Sequence, residues 1–266
     1  ILERLFQVEL DKNLKHEDFK KIREGFKEDW KRPECIDCVH NEQMGKDSKR
    51  LRSLKRPANQ ITRWDLRPGN TCNLKCAMCN PWNSSKWYED IDVFKKYRGQ
   101  VINENSRQVR ESLDWDWIYE NCVDKAEIIY IAGGEPFYMP QFKYLVDKLI
   151  EHNYKGKLKI ITNLTLVDNA YFEKIKTLNS TLVVSMDGVN NLYEYIRPSI
   201  PFGKYKGTDI QDRIKNYNQH LTVSIAYTPQ LMNVYNISDY ITWLETFVPK
   251  QDIGFNFNSP LTGPKY

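Results

Sequence analysis

Short apolar segments alternate with amphipathic ones along most of the chain. The apolar segments predict six β-strands, at residues 61–66, 126–132, 158–162, 182–186, 221–227 and 253–257. Helices are predicted beside them, at residues 84–97, 108–121, 141–152, 169–178, 209–219 and 238–247. The segment 128–131 is apolar throughout, which is typical of a strand buried on both faces of a parallel sheet. The alternation therefore predicts an α/β fold in which right-handed crossovers join parallel strands, as a barrel or an open sheet.

The first 58 residues follow a different pattern. Apolar residues at three- and four-residue steps predict an amphipathic helix that ends at Pro33, with its apolar face formed by Phe19, Ile22, Phe26 and Trp30. We therefore predict an N-terminal helical extension at residues 1–58 and a main domain at residues 59–266. The chain starts at Ile1 and stops without an obvious terminal element, so we expect a fragment truncated at its C-terminus.

The charge balance and the length of the apolar segments limit the classes of function that the chain can have. The 39 basic and 35 acidic residues give a net charge of +4, which does not indicate a general nucleic-acid coat. No apolar run approaches the roughly 18 to 20 residues that span a bilayer, and the amino end has charges where a signal peptide is apolar, so we expect a cytoplasmic protein. A local basic run is interpreted as a solvated face, with contact to an acidic substrate or nucleic acid as the alternative; it comprises Lys46, Lys49, Arg50, Arg52, Lys55 and Arg56.

The strongest chemical signal is a cysteine triad directly after the first predicted strand. Cys72, Cys76 and Cys79 have the spacing Cys-x3-Cys-x2-Cys, and thiolates are the ligands that hold iron–sulfur clusters. Three ligands from this loop would leave one iron of a four-iron cube open, and an open position distinguishes catalytic metal sites from closed structural ones.

Two alternatives to an iron–sulfur cluster stay open. The triad spacing also fits three inert cysteines on one face of a helix, although asparagines and prolines around the triad disfavour a long helix. A closed zinc site is the second alternative, with His40 or Cys122 as the fourth ligand.

Polar or glycine-containing segments follow the other predicted strands as well. Gly133, Gly134, Glu135 and Pro136 follow the second strand, and a glycine backbone can approach a ligand closely because it has no Cβ. Asn163 ends the third strand, and Ser185 and Asp187 end the fourth; ordinary turn residues are the alternative interpretation. In parallel barrels the chemistry lies at these carboxyl ends of the strands.

The cysteine triad followed by Gly-Gly-Glu-Pro after the second strand resembles the radical S-adenosylmethionine (SAM) superfamily. The resemblance covers roughly residues 60–260 and implies a partial six-strand (β/α)6 barrel similar to a TIM barrel. It also implies a [4Fe-4S] cluster whose open iron chelates the amino and carboxylate groups of SAM, followed by reductive release of a 5′-deoxyadenosyl radical. Met78 departs from the family pattern, which places an aromatic residue before the last cysteine; a thioether can still pack on adenine.

The resemblance also implies roles around SAM. The loop of Gly133 to Pro136, with Glu135, would receive the SAM amino group, and Asn163, Ser185 and Asp187 would contact the ribose and the methionyl part. Arg197 resembles the arginine that pairs with the SAM carboxylate, with a surface salt bridge as the alternative. Tyr227 is expected to line the adenine side.

A second cysteine pair, Cys35-x2-Cys38, lies before the barrel. Its context resembles proteins with a twitch or SPASM-type auxiliary cluster. Two thiolates cannot hold a cube alone, so further ligands would have to come from Cys122 or from beyond Tyr266. A buried apolar cysteine is the alternative interpretation of Cys122.

These features predict a radical SAM oxidoreductase or modifying enzyme that abstracts hydrogen from a peptide or a small molecule. We expect a small flavodoxin- or ferredoxin-type protein as reductant, and neither a nucleic acid nor a membrane as partner. Within the class, the alternative is a deazaguanine-type ring-forming enzyme. Outside it, the alternatives are a non-catalytic iron–sulfur or zinc module that binds nucleic acid, and an electron-transfer protein.

Overall fold

The computed structural model describes residues 17, 20–21, 24–25, 35–55, 62–98, 115–123, 126–166, 169–247 and 254–257. The chain divides into two compact units, Ile1–Ile61 and Thr62–Tyr266. The apolar face of the predicted amphipathic helix lies outside the described residues, and the predicted domain boundary at residue 58 stays a prediction.

The first unit contains two described helices, α1 (Ile36–Gln43) and α2 (Lys49–Leu54). Glu42 near the end of α1 accepts hydrogen bonds from the side chains of Ser48 and Arg50. The hydrogen bond from Arg50 lowers the pKa of Glu42 below its usual value. Part of the basic run is therefore used to connect two helices.

The second unit is built on six parallel strands that are hydrogen bonded in sequence order. They are β1 (Arg63–Leu66), β2 (Ile128–Ile131), β3 (Lys157–Thr162), β4 (Ser180–Ser185), β5 (Thr222–Tyr227) and β6 (Gly254–Phe257). The predicted α/β class and the six parallel strands are confirmed. The order is that of a partial barrel in which each new strand is added beside the previous one.

The helices of this unit alternate with its strands. They are α3 (Ile91–Arg98), α4 (Trp115–Ile118, continued by a π-helical turn, Tyr119–Val123), α5 (Pro140–Glu151), α6 (Asn169–Lys176), α7 (Asn190–Ile196), α8 (Gly207–Asn218) and α9 (Ile237–Phe247). The helix predicted at 84–97 is divided: a 3-10 turn, Ser85–Asp90, precedes α3. Among the described helices, none has both the length and the apolar character needed to cross a membrane.

Apolar side chains aligned across the strands form the core. Ile131, Ile160, Leu182 and Val223 pair across four neighbouring strands, and all are fully buried. Burying one such side chain stabilises the fold by roughly 1.5 to 3 kcal/mol. This row fixes the register, because a shift by one residue would turn each side chain to the other face. A fixed register places the loops after β1 to β5 at the same edge of the sheet.

Candidate functional site

The cysteine triad lies on the loop that follows β1. Cys72 and Cys76 are buried and Cys79 is half-buried. Cys72 and Cys76 form a small buried cluster with Leu74, separate from the main core, and Met78, Cys79 and Tyr205 pack against this cluster. Met78 is therefore beside the thiols, as its position in the sequence predicts.

Side chains of the following turn hold this loop in an irregular conformation. The Ser84 hydroxyl donates a hydrogen bond of 2.7 Å to the Leu74 carbonyl, and the Cys72 N–H donates one of 3.2 Å to the Ser85 hydroxyl. The Asn70 carbonyl accepts a 2.8 Å hydrogen bond from the Ser85 N–H. These bonds satisfy main-chain groups that a helix would otherwise pair, so the three thiols do not lie along one helix face.

The segment after α7 forms the other side of the loop. The Lys75 N–H donates to the Pro198 carbonyl at 3.0 Å, and the Ala77 N–H donates to the Ile196 carbonyl at 2.8 Å. Cys76 lies between these two donors in the sequence. The pairing therefore brings Arg197, which lies between the two acceptors, next to Cys76.

Gly133 and Gly134 allow the loop after β2 to approach the cysteine loop. Both have positive φ, 88° and 52°, and a Cβ on Gly134 would overlap the Thr71 carbonyl oxygen. A Cβ on Gly133 would lie 2.7 Å from the Gly69 carbonyl oxygen. The sequence suggests close approach to a ligand at these glycines; in the structure the group that approaches them is the main chain of the cysteine loop.

Glu135 connects this loop to the end of β3. Its side chain is fully buried, and one carboxylate oxygen accepts from the Thr162 hydroxyl at 2.7 Å and from the Phe137 N–H at 3.3 Å. The other oxygen accepts from the Asn163 N–H at 2.7 Å. Burial raises the pKa of Glu135 to about 7, although these three hydrogen bonds act in the opposite direction. Glu135, predicted to bind the SAM amino group, thus accepts hydrogen bonds from the protein on both carboxylate oxygens.

A second polar network connects the cysteine loop to β3. The Asn163 side-chain amide lies 3.9 Å from the Cys72 sulfur and donates to the Asn73 side-chain oxygen Oδ1 at 3.1 Å. The Asn73 amide donates to the Thr165 hydroxyl at 2.7 Å, and that hydroxyl donates to Asn163 at 2.6 Å. Asn163, predicted as a ligand of SAM, is thus also a neighbour of the first cysteine.

Asp187 and Arg197 form a buried ion pair beside Cys76. The Arg197 Nε lies 2.8 Å from Asp187 Oδ2, and its Nη1 lies 3.6 Å from the Cys76 sulfur. The other carboxylate oxygen of Asp187 accepts from the Thr228 N–H at 2.7 Å. The alternative interpretation of Arg197, a surface salt bridge, is therefore wrong: the Asp187 side chain is fully buried, and that of Arg197 is 12% exposed.

The pKa of two of the three thiols is raised in this environment, and that of the third is lowered. Burial raises the pKa of Cys72 to about 12. Cys76 and Cys79 share a hydrogen bond, which raises the pKa of Cys76 and lowers that of Cys79. Cluster binding requires thiolates, so cationic and hydrogen-bond donors beside the sulfurs are needed to stabilise them.

The remaining predicted residues have different surroundings. Ser185 is half-buried at the carboxyl end of β4, and Pro136, which is buried, begins a 3-10 turn, Pro136–Tyr138. Tyr227 is 1% exposed, its hydroxyl donates to the Asn233 carbonyl at 2.9 Å, and its ring packs on Tyr240. These contacts place Tyr227 in the core instead of on the open edge where an adenine would have to bind.

Sequence reasoning missed two residues that support the site. The Trp87 indole donates to the Cys76 carbonyl at 3.0 Å. Asn233 is fully buried, and its side-chain amide donates to the main-chain carbonyls of Asp187 and Thr228. Trp87 lies eleven residues from Cys76 in the sequence, and Asn233 lies forty-six residues from Asp187. Local sequence periodicity therefore cannot predict either contact.

The second cysteine pair belongs to the first unit. Cys35 and Cys38 are free and half-buried there. His40, one of the ligands suggested for zinc, is exposed on the same helix, and the side chain of Cys122 lies outside the described residues. The auxiliary cluster therefore stays a prediction.

The donor set of the triad loop fits an iron–sulfur cluster. Three soft thiols lie in one loop, an N–H donor (Leu74) lies 3.5 Å from the Cys72 sulfur, and a cation lies beside Cys76. Donors of this kind stabilise the negative charge of cluster thiolates. Within the described part of the chain, no three His, Cys, Asp or Glu side chains are grouped to hold a metal ion. A four-iron cube does not need its three thiolates to converge on one metal ion, because each thiolate binds a separate iron.

The parallel sheet and the thiol-bearing loop after its first strand define an α/β protein with a candidate metal-cluster site at the carboxyl edge of the sheet. Residues 66–245 match the profile of the Radical SAM superfamily, and the chain belongs to that superfamily. Membership implies a [4Fe-4S] cluster and SAM as cofactors. A curated relative, an uncharacterized protein of Methanocaldococcus jannaschii, is 26% identical over 206 residues, covering 73% of this chain and 62% of the relative.

Solved structures share the fold at low identity. Histidine-tagged anSMEcpe with bound AdoMet (S-adenosylmethionine) has a TM-score of 0.55 at 17% identity, covering 76% of this chain and 50% of that chain. Native anSMEcpe with bound AdoMet and Kp18Cys peptide has a TM-score of 0.54 at 17% identity, covering 77% and 54%. Streptococcus suis SuiB has a TM-score of 0.50 at 16% identity, covering 77% and 41%. The chain spans about half the length of these solved relatives.

Substitution of Gly134 by Ala tests the contact between the two loops. The added Cβ would displace the main chain at Thr71 and with it Cys72, so we expect reduced iron binding after anaerobic reconstitution and a loss of about 1 to 3 kcal/mol in the free energy of unfolding. Gly203→Ala is the matched control, because Gly203 also has positive φ but open space around its Cβ position. Equal effects of the two substitutions would show that backbone strain, and not the loop contact, is responsible.

The protonation of Glu135 predicts a pH dependence of the apoprotein. The folded protein holds the Glu135 proton to about pH 7, whereas the unfolded chain releases it near the usual pKa of about 4.5, so folding is disfavoured as pH rises between these values. Relative to Glu135→Gln, which does not titrate, the wild type should lose about 3 kcal/mol of unfolding free energy across this window. Denaturant titrations of both proteins at several pH values measure this difference in unfolding free energy. If the unfolding free energies of the two proteins changed in parallel with pH, the raised pKa of Glu135 would be contradicted.

Proposed function

We propose that this protein is a radical SAM enzyme that cleaves SAM reductively at a [4Fe-4S] cluster held by Cys72, Cys76 and Cys79. The observation that supports the proposal most strongly is a loop with three thiols, two of them buried, closed on one side by Arg197 and on the other by the Gly133–Gly134 main chain. When bound, the cluster supplies the electron that splits SAM into methionine and a 5′-deoxyadenosyl radical, which then abstracts hydrogen from a substrate.

The residues around the thiols would bind SAM and exclude water. We assign the SAM amino group to the loop formed by Gly133, Gly134, Glu135 and Pro136. Both oxygens of Glu135 already accept protein hydrogen bonds, so main-chain carbonyls of this loop are the acceptors that we propose. Glu135 is then a positioning residue that holds the loop against β3.

Other polar side chains at the same edge complete the proposed SAM site. Asn163 and Ser185 lie at the carboxyl ends of β3 and β4, where the ribose and methionyl groups would bind. Met78, half-buried against the cysteines, offers a thioether to the adenine ring. The assignment of Tyr227 to adenine has no support from its buried position.

A peptide or protein is the substrate class that we propose. Its support is a fold shared with anSMEcpe, which binds AdoMet together with a peptide. Cys35 and Cys38, in the N-terminal extension of residues 1–58, would contribute to an auxiliary cluster of the twitch or SPASM type once further ligands are present. A small flavodoxin- or ferredoxin-type protein would deliver the electron.

Removal of one triad thiol tests the proposed function. Anaerobically reconstituted wild type should bind about four irons at the triad and, with dithionite and SAM, should form 5′-deoxyadenosine. Cys76→Ala should lose both the iron of the triad and the product, measured by iron analysis and chromatography. Cys38→Ala is the control and should retain SAM cleavage, because Cys38 lies outside the triad loop.

Two outcomes would contradict the proposal. Zinc bound in place of iron by the wild type would favour a structural module. An unchanged iron content in Cys76→Ala would show that the triad is not the cluster site.

A further inference from the structure

Arg197 is placed as a hydrogen-bond donor to a cluster ligand. Its Nη1 lies 3.6 Å from the Cys76 sulfur, within the range for hydrogen bonds to sulfur, and its side chain is only 12% exposed. The main-chain hydrogen bonds at Lys75 and Ala77 fix the cysteine loop against the segment that carries this arginine. The contact therefore follows from the packing of two main-chain segments and not from a mobile surface side chain.

Asp187 holds the guanidinium in this orientation. The Nε and Nη2 atoms of Arg197 both lie against Asp187 Oδ2, at 2.8 and 2.5 Å. Asp187 is itself fixed by the Thr228 N–H, and its main-chain carbonyl accepts from the Asn233 side chain. The Nε–Nη2 edge, one of the two edges by which a guanidinium binds a carboxylate with two hydrogen bonds, is thus occupied by Asp187, and Nη1 is turned to the Cys76 sulfur.

A cation at this position changes the relative stability of the two redox states of a cluster. Reduction adds one negative charge to a group whose thiolate ligands are already anionic. Hydrogen bonds to ligand sulfurs and nearby charge are among the factors that set cluster potentials. In a buried site the attraction between charges is only weakly screened, so a guanidinium beside Cys76 favours the reduced state.

We propose that Arg197, oriented by Asp187, is a positioning residue that raises the reduction potential of the cluster through its hydrogen bond to the Cys76 sulfur. This inference rests on the proposed function, since it requires a cluster on the triad. The redox step is a one-electron transfer: the oxidised cluster gains one electron from dithionite, which is oxidised, and no proton moves and no bond to Arg197 forms or breaks.

The test is the midpoint potential of the reconstituted protein without SAM, measured by dithionite titration with electron paramagnetic resonance detection. Arg197→Met should shift the potential to a more negative value. Arg197→Lys keeps the positive charge but loses the planar guanidinium group with its fixed donors. Its shift in midpoint potential should therefore have the same sign as that of Arg197→Met and be smaller. Lys174→Met removes an exposed cation of α6 that pairs with Asp147 of α5 and should leave the potential unchanged.

A double variant separates the sulfur contact from the buried carboxylate. Arg197→Met leaves Asp187 without its partner, and that unpaired anion would itself lower the potential. In Arg197→Met with Asp187→Asn this charge is absent, so a potential still below that of the wild type would be due to the lost contact with Cys76. Recovery of the wild-type potential in the double variant would overturn the proposal.

The outcomes distinguish this inference from the proposed function. If the wild type cleaves SAM but Arg197→Met and Arg197→Lys keep its potential and only weaken SAM binding, Arg197 is a carboxylate clamp and the inference is wrong. If the wild type binds no iron or never cleaves SAM, the proposed function fails and the inference fails with it. If Arg197→Met does not bind iron, the midpoint potential of Arg197→Lys still tests the inference.

Discussion

The site depends on a direct main-chain contact between the loops after β1 and β2. The Glu135 N–H donates a 2.8 Å hydrogen bond to the Thr71 carbonyl, and Gly134 has no Cβ in the space that this carbonyl occupies. No side chain separates the two segments, so the position of Cys72 is set by the β2 loop. The Glu135 carboxylate then extends the connection to β3, and strand register fixes all three loops relative to one another.

Charge is the second constraint on this edge of the sheet. The interior raises the pKa of Cys72 to about 12, whereas a cluster requires its ligands as thiolates. In the proposed cluster site that cost would be offset by donors at the sulfurs: Leu74 N–H and the Asn163 amide at Cys72, and Arg197 at Cys76. Asp187 balances the charge of the guanidinium, so a buried cation can be retained beside the site.

The sequence predicted the sheet and the cysteine loop because both have local signatures. Continuous apolar runs predict buried parallel strands, and the spacing of the three cysteines predicts a loop that carries three thiols. The same reasoning could not reveal that Arg197 pairs with Asp187 or contacts Cys76, since those atoms are 10 and 121 residues apart and meet only through loop conformation. Tyr227 was assigned to adenine because it ends a strand, but its side chain faces the core. The helix predicted at 84–97 is divided because Ser84 accepts a hydrogen bond from the Lys86 N–H and starts a 3-10 turn.

The proposed SAM chemistry requires that the triad leave one iron of the cube without a protein ligand, and Mössbauer spectroscopy of protein reconstituted with iron-57 detects such an iron. Addition of SAM to the oxidised cluster should change the isomer shift and quadrupole splitting of about one iron in four, while the thiolate-bound irons keep theirs. Spectra that are identical with and without SAM, or a metal fully coordinated by side chains before SAM is added, would contradict the account.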